Sequence, residues 1–373
     1  MVLLAWSIIL RIYLQQNVYD AALERIRYVF SEFPDVIVSI SGGKDSTVIF
    51  NLAMIVAEEL GRLPLGVMFI DQEAEWSLVI DYVREIMTDP RVCPYWLQIP
   101  FRLTNATSVD VPYLYCWDPD KEELWIREKE EISIKENRYG VDRFHDLFKG
   151  FINTEFKGRA CYLAGVRCEE SPGRQLGLMS SIKYKYIPWG KKHGKDHYAF
   201  YPLYDWSYKD IWKAIHDHDW AYSRLYDFQY AYGLKINQMR VSSVHHETSL
   251  SSLYYMQEVE PDTWDRLTAR LQGVATVGQL CEASLCPSQL PYMFSSWREY
   301  RDFLLDRLID DNNIWRTLRR NFDRDDRDYV ADVHNAMHVR HINSILTKDI
   351  DLSRMGTWRA AHLNYRVKSY AQS

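Results

Sequence analysis

The stretch Val36-Ile37-Val38-Ser39-Ile40-Ser41-Gly42-Gly43-Lys44-Asp45-Ser46-Thr47-Val48-Ile49-Phe50 decides the fold. A β-branched apolar run leads into two glycines, and an apolar-dense segment to Ala57 leads out. Such a segment predicts a buried helix, so the order is strand, glycine turn, helix. That order aims the helix's first N–H groups at an anion. Gly42 and Gly43 let the backbone approach it without a Cβ in the way. Lys44 adds a point charge, and Ser41 and Ser46 add hydroxyl donors. Asp45 repels phosphate unless a cation lies between them, and Mg²⁺ shared with the phosphates is the expectation. The spacing is not G-x-x-x-x-G-K-[ST], because Val38 stands where the first glycine belongs and Asp45 follows Lys44.

Outward from the loop, Asp20 to Phe30 reads as an amphipathic helix with Ala22, Ile26, Val29 and Phe30 on one face. Leu65 to Ile70 reads as a second buried strand, and β-α-β order predicts a parallel sheet. That strand ends at Asp71-Gln72-Glu73-Ala74-Glu75-Trp76. Ligands of open α/β sheets bind at the carboxyl ends of strands, which makes Asp71 and Glu73 candidates for Mg²⁺ or ribose hydroxyls. The structural alternative is N-capping by Asp71 and glutamates in the first turn of a helix continuing to Met87. Tyr95 to Ile99 is a third strand, and 101–150 is irregular. Lys121 to Glu136 reads as a solvated, charged helix face. Cys161 to Gly165 is a fourth strand running into Val166-Arg167-Cys168-Glu169-Glu170-Ser171-Pro172-Gly173-Arg174. Two arginines there can clamp a polyanion while the carboxylates hold their forks.

Ser41 to Ser46 resembles the S-G-G-x-D-S pyrophosphate loop of the ATP pyrophosphatase and sulfonucleotide reductase superfamily. Gly165, Arg167, Glu170, Ser171 and Arg174 resemble the G-x-R-x-x-E-S-x-x-R segment of phosphoadenosine phosphosulfate (PAPS) reductase-like proteins. Pro202, Leu203, Trp206, Asp210, Ile211 and Trp212 resemble a third element of that family. The resemblance implies an adenine-nucleotide α-hydrolase-like α/β fold, a parallel sheet between helices, over residues 1–240, with a helical region over 241–373. It implies an adenine nucleotide, ATP above all, with Mg²⁺ at Asp45 and Asp71, and catalytic roles for Lys44, Asp45, Arg167 and Arg174. Glu260-Pro261-Asp262-Thr263-Trp264 further resembles a prophage- and plasmid-borne subgroup found beside ParB-like partners. Members of the superfamily either reduce a sulfonucleotide or cleave ATP between the α and β phosphates. The reductases' C-terminal Glu-Cys-Gly is absent, and the last cysteines, Cys281 and Cys286, lie in a different context. Without an attacking thiolate, sulfite release has no nucleophile. The expectation is therefore ATP cleavage with pyrophosphate release. A nucleotide-sensing regulator of a ParB-like protein and a sulfonucleotide reductase are the alternatives.

A net charge of −6 over 373 residues excludes a bulk polycation, so any nucleic-acid contact needs a local patch. Lys183 to Lys195, basic and aromatic with Gly190 and Gly194, is the candidate, read either as a nucleic-acid contact or as a mobile lid over the nucleotide. Six scattered cysteines without C-x-x-C read as reduced thiols in a cytoplasm. Val2 to Leu10 is apolar but stops at Arg11, too short to span a bilayer, and reads as a packed helix or partner strip. A homo-oligomer is compatible with the sequence. Past Val241 the chain reads as helical, with Pro261 opening a helix. His334, His338 and His341 form one helical stripe, read as packing or surface residues ahead of a metal site. Arg319 to Asp328 reads as solvated.

Overall fold

Asp35–Ile40 forms the first strand, β1, buried on both faces as its β-branched run requires of a central parallel strand. The computed structural model describes residues 15–105, 107, 111, 113–170, 174, 178, 183–194, 196–236, 239–244, 252–271, 273–274, 289–346 and 349–367. Around β1 lie β2 (Leu65–Ile70), β3 (Val92–Leu97), β6 (Ala160–Ala164), β7 (Gly190–Lys192) and β8 (His197–Phe200), in the order β3-β2-β1-β6-β8-β7. All neighbours are parallel except β7 and β8. Val38 pairs with Val67 on one side and Leu163 on the other. Chain order therefore reverses across β1, and the crevice between the carboxyl ends of β1 and β6 is the topological switch point.

Helices α1 (Val18–Glu32) and α2 (Lys44–Glu59) pack together, and α3 (Ser77–Met87) packs on β3. α1 buries Ala22, Leu23, Ile26, Val29 and Phe30, the face that its periodicity predicts. The stretch 101–150 is more ordered than its pattern suggests: β4 (Phe101–Thr104) and β5 (Tyr113–Cys116) form a separate antiparallel pair, and α4 (Phe144–Glu155) follows. Lys121 to Glu136 holds no α-helix; its regular part is a 3-10 segment, Pro119–Leu124. Further along come α5 (Tyr208–Asp217), α6 (Leu225–Ala231), α7 (Leu253–Val259) and α8 (Pro261–Arg270). Ser207 and Asp210 make a complete capping box at α5, and Pro261 stands in the first turn of α8.

The first hydrophobic core runs through Leu267, Leu271 and Val274, so α7 and α8 belong to the sheet's packing rather than to a separate unit. A second core joins α9 (Trp297–Leu308), α10 (Asn312–Asp328), α11 (His334–Leu346) and α12 (Ser353–Ala361) around Leu305, Phe322, Met337 and Ile342. Its histidines are packing residues. His338 Nε2 lies 2.9 Å from Asp326, and His341 Nε2 lies 3.0 Å from Asp325. Arg301, fully buried, pairs with Asp326 at 3.0 Å, and Arg359 reaches Asp325 at 2.6 Å. Arg319 to Asp328 is thus solvated only in part, because buried charge needs these partners. Burial holds the His341 imidazole down at about 4. Among the described residues no helix is long and apolar enough to cross a membrane. Residues 1–14, including Val2 to Leu10, lie outside the described residues.

Candidate functional site

β1 ends at Ile40 and the chain turns through Ser41 to Gly43, with Gly42 at φ +69°. A Cβ at Gly42 would stand 2.5 Å from Val79 Cγ1, so glycine serves both conformation and space there. Gly43 occupies the N-cap of α2 and, having no side chain, supplies no cap of its own. The turn is braced from within. Ser46 Oγ donates to Gly43 O at 2.8 Å and accepts Ser41 N–H at 3.2 Å. Thr47 N–H and Oγ1 both donate to Gly43 O, at 2.9 and 3.1 Å. Helix dipole and unpaired N–H groups leave this end suited to an anion.

The segment after β6 closes the other wall. A Cβ at Gly165 would lie 2.5 Å from Asp45 O and 2.6 Å from Asp45 C, so only glycine lets β6 abut the first turn of α2. Arg167, 3% exposed, donates from Nε to Asp45 and from Nη1 to Glu169 at 3.1 Å. Its Nη2 is 3.8 Å from Glu170, beyond a hydrogen bond, which leaves donor capacity. Lys44 Nζ stands 3.2 Å from Asp45 Oδ2. Arg174 pairs with Glu170 and is half exposed. Burial pushes the Glu170 carboxyl up, Asp45 adds to the rise, and Arg174 opposes it. Ser171 lies outside the described residues. The sequence thus brings Lys44, Asp45, Gly165, Arg167 and Glu170 to one place, with Arg174 attached through Glu170.

Asp71 and Glu73 have other work. Asp71, fully buried, accepts Trp96 Nε1 at 2.8 Å, Gln98 Nε2 at 3.0 Å, Glu73 N–H at 3.0 Å and the Arg127 guanidinium. With four donors on two oxygens, the residue has no lone pair aimed at a metal. Glu73, at φ +61°, accepts Trp117 N–H at 2.6 Å and Arg270 Nε at 2.7 Å, tying α8 to the sheet. Neither residue caps α3. Trp76 is its N-cap, and its open N–H groups are taken by Glu260, from Ser77 at 2.8 Å and Leu78 at 3.0 Å. No group of three metal-ligating side chains gathers among the described residues. Asp45 alone, already paired with Lys44 and Arg167, does not make a protein-held Mg²⁺ site, so the expectation of Mg²⁺ at Asp45 and Asp71 does not fit these side chains.

The Lys183 to Lys195 expectation of a mobile lid is also corrected. Gly190–Lys192 is the edge strand β7, and the buried Tyr184 and Trp189 rings pack beside Phe200. Lys185 pairs at 2.7 Å with Glu32, the last residue of α1, near the amino end of β1 and away from Ser41 to Ser46. Lys195 lies outside the described residues, as do Cys281 and Cys286. Burial raises Cys116 and Cys161 well above an ordinary thiol, so neither is a thiolate near neutral pH. Sequence reasoning missed Arg127, Arg270, Tyr226 and the capping role of Glu260, all paired across long stretches of chain.

Residues 35–98 and 120–232 match the phosphoadenosine phosphosulfate reductase domain, and residues 233–371 match a domain of unknown function, DUF3440. The Escherichia coli (strain K12) protein YbdN, described as uncharacterized, is 32% identical over 284 residues, covering 72% of this chain and 69% of its own. A PAPS reductase structure from Candida auris, in phosphate complex, covers 63% of this chain and 98% of its own at 15% identity and TM-score 0.36. An FMN adenylyltransferase structure from Candida glabrata covers 58% of this chain and 62% of its own, at 15% identity and TM-score 0.35.

Proposed function

We propose that this chain, which belongs to the family of YbdN and carries a PAPS reductase domain, binds the phosphates of an adenine nucleotide in the crevice between β1 and β6. With ATP, pyrophosphate leaves and an acceptor is adenylated. The observation that carries the reading is the N-terminus of α2, which its glycine N-cap leaves without a capping side chain of its own, beside Lys44 and the buried Arg167 at the switch point. Charge developing on the departing β and γ phosphates would meet helix N–H groups, Lys44 and the unfilled Nη2 of Arg167. Such donors are fixed before reaction, because Asp45 and Glu169 hold the Arg167 fork and Gly43 O anchors the turn. Asp45 acts here as the partner of Lys44 and Arg167, and no step is routed through a metal.

The test is pyrophosphate release from ATP, run without acceptor, with tRNA and with DNA. Release that is abolished by Arg167→Ala supports the reading. Tight ATP binding without release under any of these conditions supports a nucleotide-sensing regulator instead. Sulfite from PAPS with thioredoxin would support the reductase reading, for which the family match speaks and the buried Cys116 and Cys161 do not.

A further inference from the structure

Tyr226, in α6, is 4% exposed and reaches the head of α2. Its hydroxyl accepts Lys44 N–H at 3.1 Å, and Lys44 Nζ stands 5.6 Å from the ring centroid. A Cβ built on Gly43 would lie 3.4 Å from this hydroxyl and 3.4 Å from Ser41 Oγ, so the phenol oxygen sits at the head of α2 itself. Trp212 of α5 meets the ring edge-on at 5.2 Å and fixes its plane. A phenol accepts and donates. Here the accepting side is used, while the hydroxyl's own proton meets no acceptor among the described residues. Burial, with the charges of Asp45 and Glu170 adding to it, keeps this phenol protonated far above neutral pH. A buried donor without an acceptor is costly unless something supplies one.

We propose that Tyr226 is a ligand-binding residue whose hydroxyl donates to a phosphate oxygen seated at the N-terminus of α2. The inference rests on the phosphate reading of the loop and adds to it a donor from the segment after α5. Trp212 is then a positioning residue, because it acts through the Tyr226 ring.

Calorimetric titration of the full chain with inorganic pyrophosphate separates the two claims. Tyr226→Phe keeps the ring against Trp212 and Lys44 and removes only the hydroxyl. Its pyrophosphate affinity should fall about tenfold or more, as expected on losing a hydrogen bond to a charged group, while melting stays close to wild type. Lys44→Ala serves as the control for the loop. If Lys44→Ala loses binding and Tyr226→Phe matches or exceeds wild type, the inference is overturned and the loop reading stands. If wild type binds no pyrophosphate, both are overturned. Independently of any variant, a crystal structure with pyrophosphate should place an oxygen within hydrogen-bond reach of the Tyr226 hydroxyl, and an oxygen seated elsewhere overturns the assignment.

Discussion

Gly165→Ala puts the architecture of the crevice under direct strain. The new methyl would stand 2.5 Å from Asp45 O, 2.6 Å from Asp45 C and 3.0 Å from Ser46 N. Ordinary carbon contacts begin near ~3.5 Å, so the overlap is roughly 1 Å. All three atoms are backbone of the first turn of α2, which is pinned by Thr47 N–H to Gly43 O at 2.9 Å. No side-chain rotation relieves the clash, so either β6 or α2 must shift. Overpacking of this kind costs about 1–3 kcal/mol, and the rigid partners put this case at about 3. For a core of this size the melting temperature should fall by roughly 6–12 °C. The same shift parts Asp45 from Arg167, so ATP affinity should drop as well. Gly158→Ala is the matched control: nothing lies within 4 Å of its Cβ, and the change should stay within about 0.5 kcal/mol. Urea denaturation and ATP titration of both variants decide it. Equal stability and equal affinity in the two would refute the abutment of β6 on the loop.

Three other outcomes follow from the geometry. Arg167→Lys should lower both nucleotide affinity and stability, the latter by about 3 kcal/mol, because lysine cannot reproduce a fork between Asp45 and Glu169 and leaves a buried cation poorly paired; wild-type urea midpoints would contradict it. Glu260→Ala should cost about 1–2 kcal/mol by stripping the acceptors from Ser77 and Leu78 N–H at the head of α3, with hydrogen exchange faster there and an unchanged α3 contradicting it. Burial raises Glu75 well above the usual carboxylate range, with Asp71 adding to the rise. The folded state then holds a proton that the unfolded state has lost, so this contribution to stability is complete below the ordinary Glu range and declines as pH rises toward the folded value. Glu75→Gln should therefore gain on wild type between pH 5 and pH 8 in paired urea titrations; a pH-independent difference would contradict it.

The strand, glycine turn and helix around Ser41 to Ser46 were legible because the pattern is local. Six consecutive residues, a strand before and a helix after are all visible in one window. Arg167 was legible for the same reason, since Gly165, Arg167 and Glu170 follow a strand end. Asp71 and Glu73 were not, because their partners Arg127 and Arg270 lie 56 and 197 residues further along. Acidic residues at a strand end look alike whether they face a ligand or a buried arginine. The charge pattern of Lys121 to Glu136 concealed Arg127 in the same way, since a solvated run and a run with one arginine turned inward to Asp71 have one composition. β4 and β5 were missed because four residues each fall short of the length at which alternation can be read. In Lys183 to Lys195, counting charges and rings could not reveal that Tyr184 and Trp189 are packed inward and that Lys185 is spent on Glu32.

Titration calorimetry of ATP into the wild-type chain and into Lys44→Ala tests the central claim most directly. Wild type should bind one ATP, and Lys44→Ala should bind it at least about tenfold more weakly, with its melting temperature close to wild type. No binding by wild type, or equal affinity in the two, would contradict a phosphate site at the head of α2.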